Sequence, residues 1–342
     1  MKSLILKEPG EIPEFQVVDA PEPTLVPQGV IIKVAAAGVC HHDISVMDGT
    51  LRRGTKKNVV LGHEISGTVV DVGSEIEDFH LGDKVVTTLT TSCGVCDICI
   101  DGQEYICEYA LGYGHGIDGG FTEYLLVKEQ NLVNVGNLDL IQSALLSCPI
   151  GVTIKALFDN ALLKPGESTA VFGSGGGLGI HAAQIVQSVG GNSISFTSSP
   201  EKLEKISKYG IEQLFLLEEG IDPTELVMAL TDDEGANVTF NPVGSKLLKT
   251  SISSLSYGGR AIVMGEVSKP KEFSGTSEII FKNASLIGST GANKSHINGA
   301  IDMVQKRLVM PVVEENFAFD DVKEAFQKMK QKESVGRIVL IP

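Results

Sequence analysis

Four of the six cysteines in this 342-residue chain fall within fifteen residues and are the side chains best suited to bind a metal. Their spacing is Cys93-x2-Cys96-x2-Cys99-x7-Cys107. Four thiolates complete the tetrahedral shell of a zinc ion and leave no position for a substrate, so zinc bound here would be structural. An iron–sulfur cluster also uses four cysteines, so it is a second possibility, and reduced thiols without a metal are a third. The compact spacing, with Gly94 and Gly102 at sharp turns, favours structural zinc whose role is local stability.

The other two cysteines, Cys40 and Cys148, stand apart in the sequence, and His63 lies between them. Two thiolates and one imidazole would form a zinc site with an open fourth position, which is the arrangement of catalytic zinc. Taken singly, each residue has an ordinary explanation, because an isolated Cys or His is more often a packed core or surface side chain. Their occurrence together, beside a four-cysteine motif, favours the ligand interpretation.

A glycine-rich segment at residues 171–179 joins a predicted strand to a predicted helix. Glycines let the backbone approach a pyrophosphate, and a helix amino terminus offers free N–H groups. The G-x-G-x-x-G register fails because Leu178 occupies its last position, whereas a glycine every third residue fits better. The predicted cofactor-binding positions here are Gly173, Gly175, Gly176, Gly177, Leu178 and Gly179.

The end of the second strand of such a unit indicates which nicotinamide cofactor is bound. An acidic residue there binds the ribose 2′-hydroxyl of NAD. This chain has instead Thr197, Ser198 and Ser199, followed by Glu201 and Lys202. The hydroxyls and Lys202 could donate hydrogen bonds to a 2′-phosphate, so we predict NADP(H) in preference to NAD(H). Alternatively, Glu201 could bind a ribose diol, and Lys202 could be an ordinary charge on a helix surface.

Two structural patterns must position these residues. The first ~150 residues contain short predicted strands, such as 30–37 and 65–72, separated by turns. From Ser168 onward, apolar strands alternate with helical stretches, which predicts βαβ units and a doubly wound parallel sheet. The terminal stretch 336–341 again reads as a strand, and we expect it to rejoin the first domain. The fold class is therefore α/β.

Composition excludes several classes of protein. With Lys+Arg 28 against Asp+Glu 43, the net charge of −15 is a poor match for nucleic acid or an anionic membrane surface. No apolar run approaches the ~20 residues of a membrane span. The first residues have too short an apolar core for a signal peptide, so we expect a cytoplasmic protein. A cytoplasmic chain of this size has no need of disulfides, which favours metal binding by the cysteines.

Several segments together resemble the zinc-dependent medium-chain alcohol dehydrogenase family: GVCHHD at 38–43, GHEISGTVVDVG at 62–73, GDKV at 82–85, the four-cysteine motif, DGGFTEY at 118–124 and CPIGVTIKAL at 148–157. The resemblance covers essentially the whole chain, to GRIVLIP at 336–342. It implies a GroES-like β-rich catalytic domain at 1–152, to which 310–342 return, and a Rossmann nucleotide-binding domain at 153–309. It also implies a homodimer or homotetramer.

The resemblance assigns roles to individual residues. Cys40, His63 and Cys148 would hold catalytic zinc, and the four-cysteine motif structural zinc, giving two ions per chain. Next to these ligands, Asp43 and Glu64 could orient the imidazole or tune the charge of the metal, or be ordinary solvated or salt-bridged carboxylates.

Three further positions follow from the resemblance. His42 stands where many family members have Ser or Thr; it could relay a proton, and its bulk would narrow the pocket. His41 and Arg337 match positions near the cofactor, although Arg337 could equally form a surface ion pair.

The substrate is a small molecule, and one basic segment bears on its class. Arg52, Arg53, Lys56 and Lys57 could attract an anionic substrate such as a semialdehyde acid or a coenzyme A thioester, although a solvated loop is the ordinary explanation. The leading interpretation is a zinc-dependent aldehyde reductase/alcohol dehydrogenase. The second is a conjugated-alkene reductase acting on an enoyl- or acryloyl-coenzyme A. The third, from another class, is a zinc-containing redox sensor without catalysis.

Overall fold

The structure is a computed structural model that describes residues 1–218, 220–267 and 275–342. Its amino-terminal part consists mainly of short strands. In chain order its elements are β1 (Lys2–Glu8), β2 (Glu14–Asp19), β3 (Gly29–Gly38), α1 (His41–Met47), β4 (Val59–Val60), β5 (Glu64–Val72), β6 (Lys84–Thr87), α2 (Asp97–Ile100), β7 (Tyr124–Lys128), β8 (Leu132–Asn134) and α3 (Leu140–Ser143). Two 3₁₀ turns (Glu104–Ile106, Glu129–Asn131) and two π-helical segments (Leu146–Val152, Lys155–Asn160) complete it.

Strands and helices alternate in the rest of the chain, as the sequence predicts. The elements are β9 (Ser168–Phe172), α4 (Gly177–Ser188), β10 (Asn192–Thr197), α5 (Pro200–Ser207), β11 (Gln213–Leu216), α6 (Pro223–Ala229), β12 (Ala236–Asn241), α7 (Leu248–Ser253), β13 (Leu255–Val263), α8 (Thr276–Phe281), β14 (Ser285–Gly288), α9 (Lys294–Gln305), β15 (Val313–Ala318), α10 (Val322–Gln331) and β16 (Arg337–Ile341). Single 3₁₀ turns lie at Ser245–Leu247 and Phe319–Asp321.

Among the described strands, β9 to β14 form a parallel sheet in the order β11-β10-β9-β12-β13-β14. This is the 3-2-1-4-5-6 order of a doubly wound dinucleotide-binding sheet, so the predicted fold class is confirmed. The order reverses beside β9, because β10 and β12 lie on its two sides. The glycine-rich segment leaves the carboxyl end of β9 and therefore lies at the position where such sheets bind their ligand.

A second sheet, mainly antiparallel, has the order β15-β16-β3-β5-β6-β8, with β7 also paired to β3. β16 pairs with β3 through Val339 opposite Gly38 and Leu340 opposite Ala37, so the carboxyl-terminal tail joins the amino-terminal sheet. A small sheet, β2-β1-β4, packs beside it. The domain limits 1–152, 153–309 and 310–342 remain predictions.

Helix α4, which begins in the glycine-rich segment, is packed into the core on more than one side. Its Ile180 and Ala183 pack in one apolar cluster, while Ala182, Ile185 and Val186 pack in another. A helix that is apolar around most of its circumference must be buried on more than one side. The amino terminus of α4 is therefore fixed by the core rather than by exposed caps, which suits a site that must present free backbone N–H groups.

Candidate metal centres and cofactor cleft

The four clustered cysteines converge on one point. Cys93 Sγ lies 3.8 Å from Cys99 Sγ and 3.7 Å from Cys107 Sγ, and Cys96 Sγ lies 3.9 Å from Cys107 Sγ. Zinc–sulfur bonds of about 2.3 Å at tetrahedral angles place sulfur atoms roughly 3.8 Å apart. The four sulfur atoms therefore fit a closed tetrahedral zinc site, and none of the cysteines forms a disulfide.

Local backbone geometry brings these cysteines together. Gly94 and Gly102 adopt φ values of +76° and +72°, a conformation that a side chain would strain, which confirms the turns predicted there. Backbone N–H groups of Val95 and Cys96 lower the pKa of Cys93 to about 6, whereas burial and the neighbouring thiols raise the pKa of Cys99 to about 12. Four adjacent thiolates repel one another, so a cation at their centre is needed for all four to ionise.

The structure also brings together the three separated candidates, Cys40, His63 and Cys148. Cys40 precedes α1, His63 precedes β5, and Cys148 lies in the π-helical segment Leu146–Val152. One ligand atom from each of these residues, and one from Glu64, lie within 4.8 Å of one another. Two thiols and an imidazole that converge in this way suit zinc and leave a fourth position for a substrate oxygen or for Glu64.

Asp43 lies beside the His63 ring. Its Oδ1 lies 3.4 Å from His63 Nδ1, and its Oδ2 accepts a hydrogen bond of 2.8 Å from the Cys40 backbone N–H. Both Asp43 and His63 are buried. Although burial opposes a charged imidazole, the Asp43 carboxylate raises the pKa of His63 well above its ordinary value. With Nδ1 directed to Asp43, Nε2 is the ring atom left for a metal.

Arg337 forms a buried ion pair with Glu64. Its Nη2 lies 2.8 Å from Glu64 Oε1, and its Nε lies 3.1 Å from both carboxylate oxygens. The same Nη2 is 3.4 Å from Cys40 Sγ and 4.0 Å from Cys148 Sγ. Burial raises the pKa of Glu64 to about 7, although the guanidinium opposes this shift. Because Arg337 is only 6% exposed, its ion pair with Glu64 is buried, and the alternative of a surface ion pair for Arg337 is excluded.

The guanidinium of Arg337 also reaches the glycine-rich segment. A Cβ atom placed on Gly177 would lie 2.6 Å from Arg337 Nη1, so a side chain there would displace the guanidinium. Gly173 has φ of +68°, and a Cβ on Gly179 would lie 2.3 Å from the Gly173 carbonyl oxygen. Gly173 and Gly179 are thus required by backbone conformation and close approach, while Leu178 packs against the core. These contacts suit a pyrophosphate site between the glycines and Arg337.

Comparisons with known proteins agree with this geometry. Residues 26–137 match the family model of the alcohol dehydrogenase GroES-like domain, and residues 177–306 match that of the zinc-binding dehydrogenase. An acryloyl-coenzyme A reductase from Metallosphaera sedula is 30% identical over 99% of each chain. The chain belongs to the zinc-type medium-chain dehydrogenase/reductase family. It is therefore an oxidoreductase, and membership of this family implies zinc, a nicotinamide cofactor and a small-molecule substrate.

Two further proteins are similar to this oxidoreductase along their whole length. An NAD-dependent alcohol dehydrogenase from Sulfurisphaera tokodaii is 29% identical over 100% of each chain. The crystal structure of the alcohol dehydrogenase from Aeropyrum pernix superposes with a TM-score of 0.91 at 26% identity, again over 100% of each chain. In the described part of the chain, no helix is long and apolar enough to cross a membrane. The cytoplasmic location stays a prediction.

The strand end that bears on cofactor choice lies next to the glycine-rich segment. A Cβ on Gly175 would lie 2.9 Å from Lys202 Cδ, so the lysine stem covers this glycine. Lys202 Nζ donates a 2.6 Å hydrogen bond to the Ser334 carbonyl, and burial lowers the pKa of this lysine. Ser199 Oγ donates to Glu201 Oε2 at 2.7 Å. Lys202, only 6% exposed, is therefore not the plain helix-surface charge considered as an alternative, and Thr197 Oγ1 lies 3.4 Å from the Cβ position of Gly175.

The His42 ring lies between His63 of the open metal site and His115, a residue that the sequence patterns do not single out. The centroid of its ring lies 4.8 Å from that of His63 and 5.9 Å from that of His115. Burial, with a smaller effect from His63, lowers the pKa of His42 to about 4. In the sequence, the position of His115 in the short glycine-rich stretch 112–116 is the signal that could have indicated its place near the site. His41, on the same helix, is partly buried, and burial lowers its pKa too.

The basic segment at 52–57 is less uniform than its sequence suggests. Lys56 forms an ion pair with Asp118, and its backbone N–H donates to the His115 carbonyl at 2.8 Å. Lys56 therefore has a structural partner. Arg52, Arg53 and Lys57 are exposed, and none of them forms an ion pair with a described residue. The cations available to a ligand are thus fewer than the four counted in the sequence.

Proposed function

We propose that this dehydrogenase transfers a hydride between a nicotinamide cofactor, NADP(H) in preference to NAD(H), and an aldehyde/alcohol pair. The convergence of Cys40, His63 and Cys148 on one point, beside the glycine-rich segment, supports this proposal most strongly. A closed metal site could not take a substrate oxygen, whereas three ligands leave a position for one. A short-chain anionic substrate such as a semialdehyde is compatible with the exposed Arg53 and Lys57.

We infer two zinc ions per chain, one held by Cys40, His63 and Cys148 and one by the four-cysteine motif. When bound, zinc would act as a Lewis acid on the carbonyl oxygen, and the reduced nicotinamide would supply hydride to the carbonyl carbon. Asp43 orients His63, and Arg337 balances the charge of Glu64 within the buried site. His42 lies between His63 and His115, and burial lowers its pKa to about 4; as a neutral ring it would relay the proton that the product oxygen requires by accepting a proton at one nitrogen and releasing one from the other.

Reduction of a conjugated alkene is the second candidate. Acryloyl-coenzyme A reductases from Sulfurisphaera tokodaii and Metallosphaera sedula are 29% and 30% identical to this chain over nearly their whole length. Arg53 and Lys57 could bind the phosphates of a coenzyme A thioester. In that reaction the alkene β-carbon receives the hydride and the α-carbon a proton. The complete Cys40–His63–Cys148 set argues for the carbonyl reaction, because alkene reduction has less need of an open metal position.

One set of assays separates these candidates. Cofactor oxidation is followed with NADPH and NADH against short aldehydes, semialdehydes and acryloyl-coenzyme A, together with metal analysis. Two zinc ions and turnover of an aldehyde support the leading proposal, and removal of zinc should then abolish activity. Full activity without zinc would contradict it. One zinc ion and turnover of acryloyl-coenzyme A favour the alkene reductase, and no turnover of any substrate favours a redox sensor.

We also propose that the chain forms a homodimer or homotetramer through the edge of its parallel sheet. β14 is the last of the described strands on that side, and an edge strand offers unpaired backbone groups to a second copy. Ile280 and Phe281 beside it are 68% and 82% exposed. Sedimentation equilibrium tests this proposal, because Phe281→Asp should shift the mass toward a monomer, and a monomeric wild-type chain would contradict it.

A further inference from the structure

The loop between β14 and α9 forms a wall of the open metal site without supplying any of the proposed ligands. β14 ends at Gly288, at the same carboxyl edge of the sheet as the glycine-rich segment. Four residues later, Ala292 is buried in one cluster with Cys148, and Cys40 packs against that cluster. The Cβ position of Gly151 is also only 3.5 Å from Ala292 Cβ. Displacement of this loop would therefore open the site on one side.

The other side of the loop is held by the four-cysteine lobe, residues 93–107. Asn293 Nδ2 donates a 2.5 Å hydrogen bond to the Gly102 carbonyl. The Lys294 backbone N–H, at the start of α9, donates to Glu104 Oε1 at 2.8 Å. This second bond places a carboxylate at the amino terminus of the twelve-residue helix, where the helix dipole favours a negative charge.

An aromatic contact adds to these hydrogen bonds. Gly291 has φ of +71°, and a Cβ there would lie 2.9 Å from the Tyr105 ring, so the ring rests on bare backbone. Lys155 Nζ lies 4.6 Å from the centroid of the same ring and donates to the Thr290 carbonyl at 3.1 Å. Lys155 is only 5% exposed, and a desolvated cation over an aromatic ring is a favourable contact.

Gly102, Glu104 and Tyr105 all lie in the seven-residue interval between Cys99 and Cys107. We propose that this interval is a clamp which holds residues 289–294 against the open Cys40–His63–Cys148 site, with Glu104 and Tyr105 as positioning residues. The four-cysteine motif then serves the reaction as well as local stability, because closure of the motif sets the shape of the interval. Because residues 289–294 follow β14 at the same carboxyl edge of the sheet as the glycine-rich segment, the loop that the clamp holds would also border the bound cofactor. For this effect on cofactor binding the inference rests on the proposed function, but not for the contacts themselves.

Paired variants of the zinc-loaded chain test the clamp. Glu104→Ala removes the acceptor for Lys294, whereas Glu104→Gln keeps an oxygen acceptor in place. Tyr105→Ala removes the ring, whereas Tyr105→Phe keeps it. Glu108→Ala is a matched control, because Glu108 directly follows the lobe after Cys107, is exposed and makes no hydrogen bond to a described residue.

Two measurements are made on each variant: hydrogen exchange of the amides at 289–294 by mass spectrometry, and the dissociation constant of the reduced nicotinamide cofactor by fluorescence. The alanine variants at 104 and 105 should exchange roughly tenfold faster there and bind cofactor roughly tenfold more weakly. The Gln, Phe and Glu108 variants should stay within about twofold of wild type.

Exchange at wild-type rates in both alanine variants would overturn the clamp. Faster exchange with unaltered cofactor binding would overturn its positioning role. If Tyr105→Phe lost as much exchange protection and cofactor affinity as Tyr105→Ala, the ring contact would not be what holds residues 289–294. A wild-type chain that binds neither NADPH nor NADH contradicts the proposed function and the effect on cofactor, whereas the exchange rates still decide whether the contacts hold the loop.

Discussion

At the scale of single residues, Asp43 carries the clearest consequence for metal binding. It contacts His63 through Oδ1 and the Cys40 backbone through Oδ2, so it orients two of the three proposed ligands. Asp43→Asn keeps the shape but removes the charge and one acceptor. We expect roughly 10- to 100-fold weaker zinc binding at the open site, measured by competition with a chelator. Zinc in the four-cysteine site should remain. Asp48→Asn, at an exposed position after the same helix, is the control, and an equal loss there would contradict this role.

Lys202 is the residue whose replacement tests cofactor choice. Its ammonium donates one hydrogen bond to Ser334 and retains two N–H groups for a 2′-phosphate. Lys202→Gln should raise the dissociation constant of NADPH roughly tenfold and that of NADH less than about twofold. Lys208→Gln is the control, since Lys208 is exposed and pairs with Glu204. Equal weakening of both cofactors would show instead that Lys202 acts through its packing on Gly175.

Residues at short spacing could be predicted from the sequence itself, whereas contacts between distant segments were predicted mainly through the family resemblance, as for Cys40, His63 and Cys148, or were not predicted. The cysteine motif and the glycine-rich segment are local patterns, because one turn or one helix start determines their geometry. The Arg337–Glu64 ion pair joins residues that are 273 positions apart, and neither sequence neighbourhood carries a sign of the other. His115 was not predicted as a site residue for the same reason, since only folding brings it close to His42.

At the scale of elements, helix α4 contains a buried neutral histidine. His181 Nδ1 contacts the Gly177 carbonyl, and Nε2 accepts a 3.0 Å hydrogen bond from the Val312 N–H, so neither nitrogen has room for a further proton. Burial lowers the pKa of His181 to about 4, against about 6.5 in an unfolded chain. Between these values the unfolded state binds more protons, and the stability contributed by the neutral ring is complete above pH 6.5 and falls as the pH falls.

The loss of unfolding free energy attributable to His181 at pH 5 is about 2 kcal/mol. The fall in melting temperature from pH 7 to pH 5 should therefore be larger in wild type than in His181→Gln, which lacks the titrating group. His80→Gln should behave as wild type, because His80 is exposed. Equal falls in wild type and His181→Gln would exclude a contribution from this histidine.

Most strands and helices near the cleft follow from periodicity, but the segment that carries Cys148 does not. Alternating apolar strands and helices predicted β9 to β14, because buried parallel strands are nearly continuous apolar runs. The two π-helical segments, Leu146–Val152 and Lys155–Asn160, have no distinctive period in the sequence. The wider π-helical turn is set by packing, since every residue of Leu146–Val152 is buried. The placement of Cys148 beside Cys40 therefore depends on tertiary structure.

At the scale of the whole molecule, Arg337 connects three parts of the chain. It begins β16, pairs with Glu64 at the start of β5, and lies against Gly177 at the start of α4. The carboxyl-terminal strand thus joins the open metal site to the glycine-rich segment. A buried ion pair gains little net stability over an apolar pair, but an unpaired buried carboxylate is costly. The separate effects of charge and geometry can therefore be distinguished by a double variant.

Arg337→Met should lower the free energy of unfolding by about 3–5 kcal/mol, because Glu64 is left buried without its partner. Adding Glu64→Leu should restore most of that loss, since the double variant has no orphaned charge. Cofactor binding should remain weak in both, because neither keeps a guanidinium beside Gly177. Unfolding followed by calorimetry and cofactor binding followed by fluorescence separate the two effects. A double variant as unstable as Arg337→Met would show that the loss comes from packing in the glycine-rich segment, and restored cofactor binding would remove Arg337 from the pyrophosphate site.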